Sequence, residues 1–153
     1  MRITAKADYA VRAAAELAAE AGSDRPMKGE TIATNQGIPQ KFLENILADM
    51  RQAGLVKSQR GVDGGYRLAK DPAEVSVADG IRAVEGPLAS VRGEAPEDVE
   101  YGGAAQPLQD VWIAVRAALR GVVEHVTLAD LAAGRVPEEV ARLAGDPDAR
   151  RRR

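Results

Sequence analysis

The fold is decided by residues 40–69, QKFLENILADMRQAGLVKSQRGVDGGYRLA. The first half has a helical period: Leu43, Ile46, Leu47 and Met50 fall at i, i+3, i+4 and i+7 and make one apolar seam. Gly54 follows as the stop. Lys41, Glu44, Asn45 and Ala48 repeat that spacing on another face, polar with one small residue, a face able to enter a groove. The period then changes from helix to strand. Leu55-Val56-Lys57-Ser58-Gln59 alternates loosely and Tyr66-Arg67-Leu68-Ala69 is its candidate partner. Between them Arg60-Gly61-Val62-Asp63-Gly64-Gly65 is a basic, glycine-rich tip able to take positive φ angles.

Outward from this stretch, the spacing predicts a helix over about Lys28 to Gln36, ended by Gly37 in the left-handed position. Ile38 and Pro39 bridge it to the helix of Gln40 to Ala53. Before them, Tyr9/Ala10, Ala13/Ala14 and Leu17/Ala18 recur at four-residue intervals and predict a first helix from about Thr4 to Ala21. Two short helices joined by a tight turn, then a basic-tipped hairpin, describe a winged helix-turn-helix. Beyond Asp71-Pro72, Ser76 is the expected N-cap of a helix through about Glu85, with Asp79 in the capping-box position. Residues 88–106 read as a long, weakly patterned loop, of the kind that is functional or disordered in compact domains. From Pro107 a long helix is expected to about Val126, and Thr127 caps a last short one over Leu128 to Ala133. In the long helix Leu108, Val111, Trp112, Val115, Leu119 and Val122 form a stripe wider than one helix needs against a small domain, and are assigned to dimerisation.

The expected class is therefore mainly α with a small β-hairpin wing: a winged helix-turn-helix plus a long C-terminal dimerisation helix. Residues 1–75 are assigned to DNA binding, 76–134 to a linker or sensor loop and the dimerisation helices, and 135–153 to a partly disordered tail.

Composition narrows what such a chain can do. At 153 residues, 45% hydrophobic and 29% charged, it is one compact domain or one plus an appendage. With no Cys there is no disulfide, no thiol nucleophile and no thiolate-held metal or cluster; one His makes a multi-histidine site untenable. No metal and no cofactor are expected. One Trp, three Tyr and one Phe cannot line a base-stacking platform for single strands. Residues 1–70 hold 11 Lys/Arg against 8 Asp/Glu, while residues 71–149 hold 6 against 15, so the net −2 hides a basic N-terminal half. The local field over a patch governs association with DNA more than the molecular sum. The four arginines 150–153 read as a solvated, frayed end. No apolar run suits a membrane span and no secretory leader is evident, so a cytoplasmic location without a membrane partner is expected. An enzyme is disfavoured. Gly61-Val62-Asp63-Gly64-Gly65 lacks the Gly-Lys-Ser/Thr ending of a phosphate loop, and His125 has no partner at a recognisable spacing.

The opening Met1-Arg2-Ile3-Thr4-Ala5-Lys6 with Tyr9-Ala10-Val11 resembles the start of the Rrf2 family of bacterial transcription regulators. So do Phe42-Leu43-Glu44, Gly54-Leu55-Val56, Arg60-Gly61, Gly64-Gly65-Tyr66 and, after the long helix, Thr127-Leu128-Ala129-Asp130-Leu131. The likeness spans about residues 1–134. It implies a homodimer with a winged helix-turn-helix from each chain, the long helix crossing its mate, bound to palindromic promoter sites. Cluster-bearing members carry three cysteines in the loop before the long helix, where this chain has none. A variant cluster site uses an acid and a His from the partner's first helix; here Asp8 is acidic but position 12 is Arg12. The resemblance thus points to the cysteine-free branch, which includes regulators of cysteine and sulfur metabolism controlled by a small-molecule effector or a partner enzyme.

On that reading the third helix lies in the major groove of double-stranded DNA, its first residues nearest the bases. Gln40 and Lys41 reach base edges or phosphates, and Glu44 can accept from a cytosine amino group, or simply pair with Lys41. Arg60 would enter a narrow minor groove, or be an ordinary loop arginine. Gly61, Gly64 and Gly65 allow close backbone approach to DNA, though a tight turn explains them equally. Arg2, Lys6 and Lys57 are assigned to phosphates. The expected function is a sequence-specific regulator, a repressor in kind. The alternative is a winged-helix protein-interaction module that never reads DNA.

Overall fold

The structure, a computed structural model, describes residues 1–152. Helix α1 (Ala5–Ala19) is its spine. Thr4 caps it, the hydroxyl oxygen accepting from the Ala7 N–H at 3.0 Å. Its buried residues are nearly all small: Ala7, Ala10, Ala13, Ala14 and Ala18, with Leu17. A face of methyl groups allows close approach, and α1 packs against α2 (Gly29–Gln36), α3 (Gln40–Gln52), the hairpin, α4 (Val77–Glu85) and α6 (Leu128–Ala132). Helix α4 comes close to α1 at Gly80, where a Cβ would sit 3.3 Å from the Val11 Cγ2.

The core is built on α1 and α3 with two residues of α2. Ile32, Leu43, Ile46, Leu47 and Met50 are fully enclosed, with Val56, Val75 and Leu128 closing the cluster. Each such side chain contributes roughly 1.5–3 kcal/mol on burial. The hairpin is antiparallel: β1 (Val56–Gln59) runs against β2 (Gly65–Leu68), Val56 opposite Leu68 and Gln59 opposite Gly65. The second strand starts one residue earlier than its alternation predicts, because Tyr66 also exchanges backbone hydrogen bonds with Met27 at 2.8 and 3.0 Å.

Helices α4 and α6 begin side by side. Ser76 and Thr127 form an antiparallel bridge, each capping its helix in a complete capping box with Asp79 and Asp130 respectively. The Val77 N–H donates to the Val126 carbonyl and the Leu128 N–H to the Val75 carbonyl, both at 2.8 Å. This junction returns the chain to the body after α5 (Leu108–Val123), a helix with no buried residue.

Two stretches carry local structure that their sequence does not signal. The 88–106 segment carries 3-10 turns at Pro96–Asp98 and Gly103–Ala105, and Pro96 and Val99 are buried. Gln109 donates to the Glu97 and Val99 carbonyls at 3.0 and 2.9 Å, and Arg116 pairs with Glu97 at 2.6 Å. These tertiary contacts from α5 order a segment that has no period. The stretch read as a partly disordered tail holds α7 (Glu138–Gly145) and a 3-10 turn at Pro147–Arg150; Arg153 lies outside the described residues. Among the described residues no helix is long and apolar enough to cross a membrane.

Candidate nucleic-acid interface

Helix α3 is oriented by its two faces. The seam Leu43, Ile46, Leu47 and Met50 is buried, so Gln40, Lys41, Glu44, Asn45 and Ala48 face solvent. The entry to α3 is fixed by Gly37, at φ 61, whose left-handed conformation ends α2, and by Ile38, which is buried and donates to the Ala33 carbonyl at 3.0 Å. Lys41 and Glu44 form no ion pair with each other, nor does either bond any other described side chain, so both remain available to a ligand.

The hairpin presents Lys57, Arg60 and Gly61 to solvent; the Lys57 and Arg60 side chains make no polar contact with other described residues, while the Gly61 carbonyl accepts from the Gly64 N–H at 3.0 Å within the turn. Gly64 and Gly65 serve the chain itself. A Cβ at Gly64 would come 2.3 Å from the Gln59 carbonyl oxygen, and one at Gly65 would come 2.4 Å from that of Met27. The tight geometry of the turn and the Met27–Tyr66 bridge therefore accounts for both glycines. At Gly61, φ 109, the space is open. Arg67 stands directly across the sheet from Lys57 and donates to the Ser23 and Asp24 carbonyls, fastening the hairpin to the α1–α2 connection. Its signal was weak, since an alternating strand places a cation on its exposed face without naming a partner.

Of the residues assigned to phosphates, Arg2 lies exposed ahead of α1. Lys6 is already engaged, its Nζ 2.7 Å from Asp49 at the end of α3, so a phosphate would have to compete with that carboxylate. The structure thus gathers Gln40, Lys41 and Glu44 on one helix face and Lys57, Arg60 and Gly61 on the adjoining hairpin, with Lys6 spoken for.

Leu108, Val111, Trp112, Val115, Leu119 and Val122 line α5 without one of them becoming buried, and Val111 is 49% exposed. Beside them is a cavity of about 430 Å³ lined by Val91, Arg92, Tyr101, Leu108, Trp112 and Val115 among others. Ala89 and Arg92, on its rim, adopt left-handed φ values of 53° and 54°. Such a conformation costs a non-glycine residue roughly 1–2 kcal/mol, so surrounding structure must impose it. The Glu97 carboxyl in the same segment is held below its ordinary pKa, chiefly by the hydrogen bond from Arg116.

Comparison with known proteins agrees with this architecture. The model of the Rrf2 family, described as iron-dependent transcriptional regulators, matches residues 3–134. The chain is 50% identical to the HTH-type regulator Rv1287 of Mycobacterium tuberculosis over 95% of its own length and 90% of that protein. It is 36% identical to CymR of Bacillus subtilis over 86% and 90%. The solved structure of CymR, described as the global cysteine regulator of that organism, superposes with a TM-score of 0.71 at 34% identity, covering 89% of this chain and 99% of that one. The residues present do not fit the iron of the family description. The sequence has no thiolate to hold a cluster, and among the described residues no three His, Asp or Glu side chains gather at metal-binding distance. With a helix-turn-helix, a basic wing and a matching family model over most of its length, the chain belongs to the Rrf2 family of DNA-binding transcriptional regulators.

Proposed function

We propose that the protein is a homodimeric, sequence-specific repressor that reads a palindromic promoter site through α3 and the hairpin, with no iron–sulfur cluster. The observation that carries this reading is the unsatisfied polar face of α3. Gln40, Lys41 and Glu44 are exposed and make no contact that the fold requires, on a helix whose opposite side is fixed in the core. Base readout in the major groove needs such a rigid helix with free donors and acceptors near its N-terminus. Arg60 supplies the cation for an adjoining minor groove, while Lys57 and Arg2 set register through phosphates.

Dimerisation is supported by the surface arithmetic. The described residues expose 10017 Å², against roughly 7,500 Å² for a compact monomer of this mass. That excess lies on α5 and on the exposed α7 with the turn after it, and the apolar part of it, on α5, is what a homodimer contact would cover. The stripe from Leu108 to Val122 is the natural place for it. The solved relative's description as a cysteine regulator supports a role in cysteine or sulfur metabolism. Control is assigned to the 88–106 segment and its cavity, through a small-molecule effector or a partner enzyme. An effector acts there only if it binds the DNA-competent and incompetent states unequally. Thermal-shift screening of cysteine-pathway intermediates tests that assignment.

Selection of duplexes from a random-sequence library, followed by binding titrations, tests the central reading. An enriched palindrome is expected. On it, Lys41→Ala and Arg60→Ala should each cost about 1–3 kcal/mol of binding free energy. Thermal unfolding should move by no more than about a degree or two, since neither side chain packs on the fold. Failure to enrich any sequence, or parental binding by both variants, overturns it.

A further inference from the structure

Arg12 carries a cluster of contacts that DNA reading by α3 does not by itself explain. Asp8, Arg12 and Glu16 stand at i, i+4 and i+8 on α1 and form a polar ridge facing the last residues of α2. The Arg12 guanidinium donates to the Asp8 carboxylate at 3.0 Å, to the Gln36 side-chain oxygen at 3.2 Å, and to the Gln36 backbone carbonyl. The Gln36 amide donates in turn to Glu16, which also accepts from Asn35 at 3.0 Å. Gln36 is the last residue of α2, and Gly37 next to it makes the turn into α3. Above the same guanidinium lies the Tyr9 ring, its centroid 5.1 Å from Arg12 Cζ. Tyr9 then meets Phe42 of α3 edge to face at 5.7 Å.

We infer that Arg12 is a positioning residue for DNA recognition: it locks the α2–α3 turn to α1 and, through Tyr9 and Phe42, sets the angle at which the first turn of α3 is presented. The buried seam of α3 fixes its depth and the face it shows, but non-directional aliphatic contacts leave the tilt and small displacements of its N-terminal end less constrained. A forked guanidinium bonded to one carbonyl and two side chains is directional. Placed at the turn, it fixes those remaining degrees of freedom where Gln40, Lys41 and Glu44 begin. Gln36 is half-buried and Arg12 itself is only partly exposed, so the two Gln36 contacts are shielded from full solvent competition, while the Asp8 pair is exposed. Arg12 touches no DNA in this scheme.

The inference rests on α3 being the reading element, and the test separates the two. Full-length parent, Arg12→Ala, Arg12→Lys, Lys41→Ala and Arg60→Ala are titrated at one salt concentration with a duplex enriched by the parent from a random library and with a shuffled duplex of the same composition. Misaligning α3 should weaken readout while leaving phosphate contacts intact. Arg12→Ala is therefore expected to lose about tenfold on the enriched duplex and to bind the shuffled one like the parent. Arg12→Lys keeps the charge and the helix but not the fork, and should recover less than half of that loss on a logarithmic scale. Equal losses on both duplexes, no loss on either, or full rescue by lysine overturns the positioning role. If Lys41→Ala and Arg60→Ala also bind the enriched duplex like the parent, it is the α3 reading that falls.

Discussion

Single residues in this protein divide by whether the fold or the ligand needs them, and close contacts tell which. Lys41, Glu44 and Arg60 are legible in the sequence as polar positions opposite an apolar seam or at a hairpin tip, and the structure leaves all three free. Gly61, Gly64 and Gly65 look alike in sequence, yet the turn needs Gly61 for its φ of 109°, and Gly64 and Gly65 because backbone oxygens lie 2.3 and 2.4 Å from where their Cβ atoms would stand. Gly65→Ala should thus lower stability by about 1–3 kcal/mol, by forcing the Met27–Tyr66 bridge apart. A urea midpoint equal to that of the parent would show that the hairpin shifts without cost. Lys6 is legible as a cation but not as Asp49's partner, because the two stand 43 positions apart and no local rule links them.

At the scale of elements, the helices around the core are readable because period, caps and stops agree. The junction of α4 and α6 shows the limit. Each N-cap is visible, but only folding brings Ser76 beside Thr127. The Asp130 carboxyl is held below its ordinary value of 3.8, first by the Thr127 backbone N–H, then by the Thr127 hydroxyl and by Arg135. A carboxylate with a depressed folded pKa adds stability above its unfolded value, and that stability disappears as pH falls through the folded value. Asp130→Asn should therefore melt below the parent at neutral pH, and the two melting temperatures should converge as pH falls below about 3.8. A gap unchanged at pH 3 would place the cap's contribution in shape rather than charge. The 88–106 segment was not readable, since its order comes from Gln109 and Arg116 of α5 reaching isolated carbonyls and one carboxylate.

For the whole molecule, the decisive feature is a 16-residue helix that carries an apolar stripe and no buried residue. Sedimentation at micromolar concentration should find a dimer without DNA, and Val115→Asp, which places a charge in the middle of the α5 stripe, should shift it to monomer while the helix-turn-helix stays folded. A monomeric parent would remove α5 as the dimer contact. Enriched-duplex affinity should fall steeply with salt, with a slope of about −0.9 per phosphate neutralised, and the monomeric variant should show about half the parental slope. The sequence by itself determined the winged helix-turn-helix, the free face of α3 and the absence of cluster ligands, because period, capping and residue chemistry are local properties. Only the tertiary structure decided which glycines the hairpin requires, that Lys6 is taken by Asp49, that the 88–106 segment is anchored to α5, and that Arg12 joins α1 to the turn before α3. Those are contacts between positions far apart along the chain, and no spacing rule encodes them.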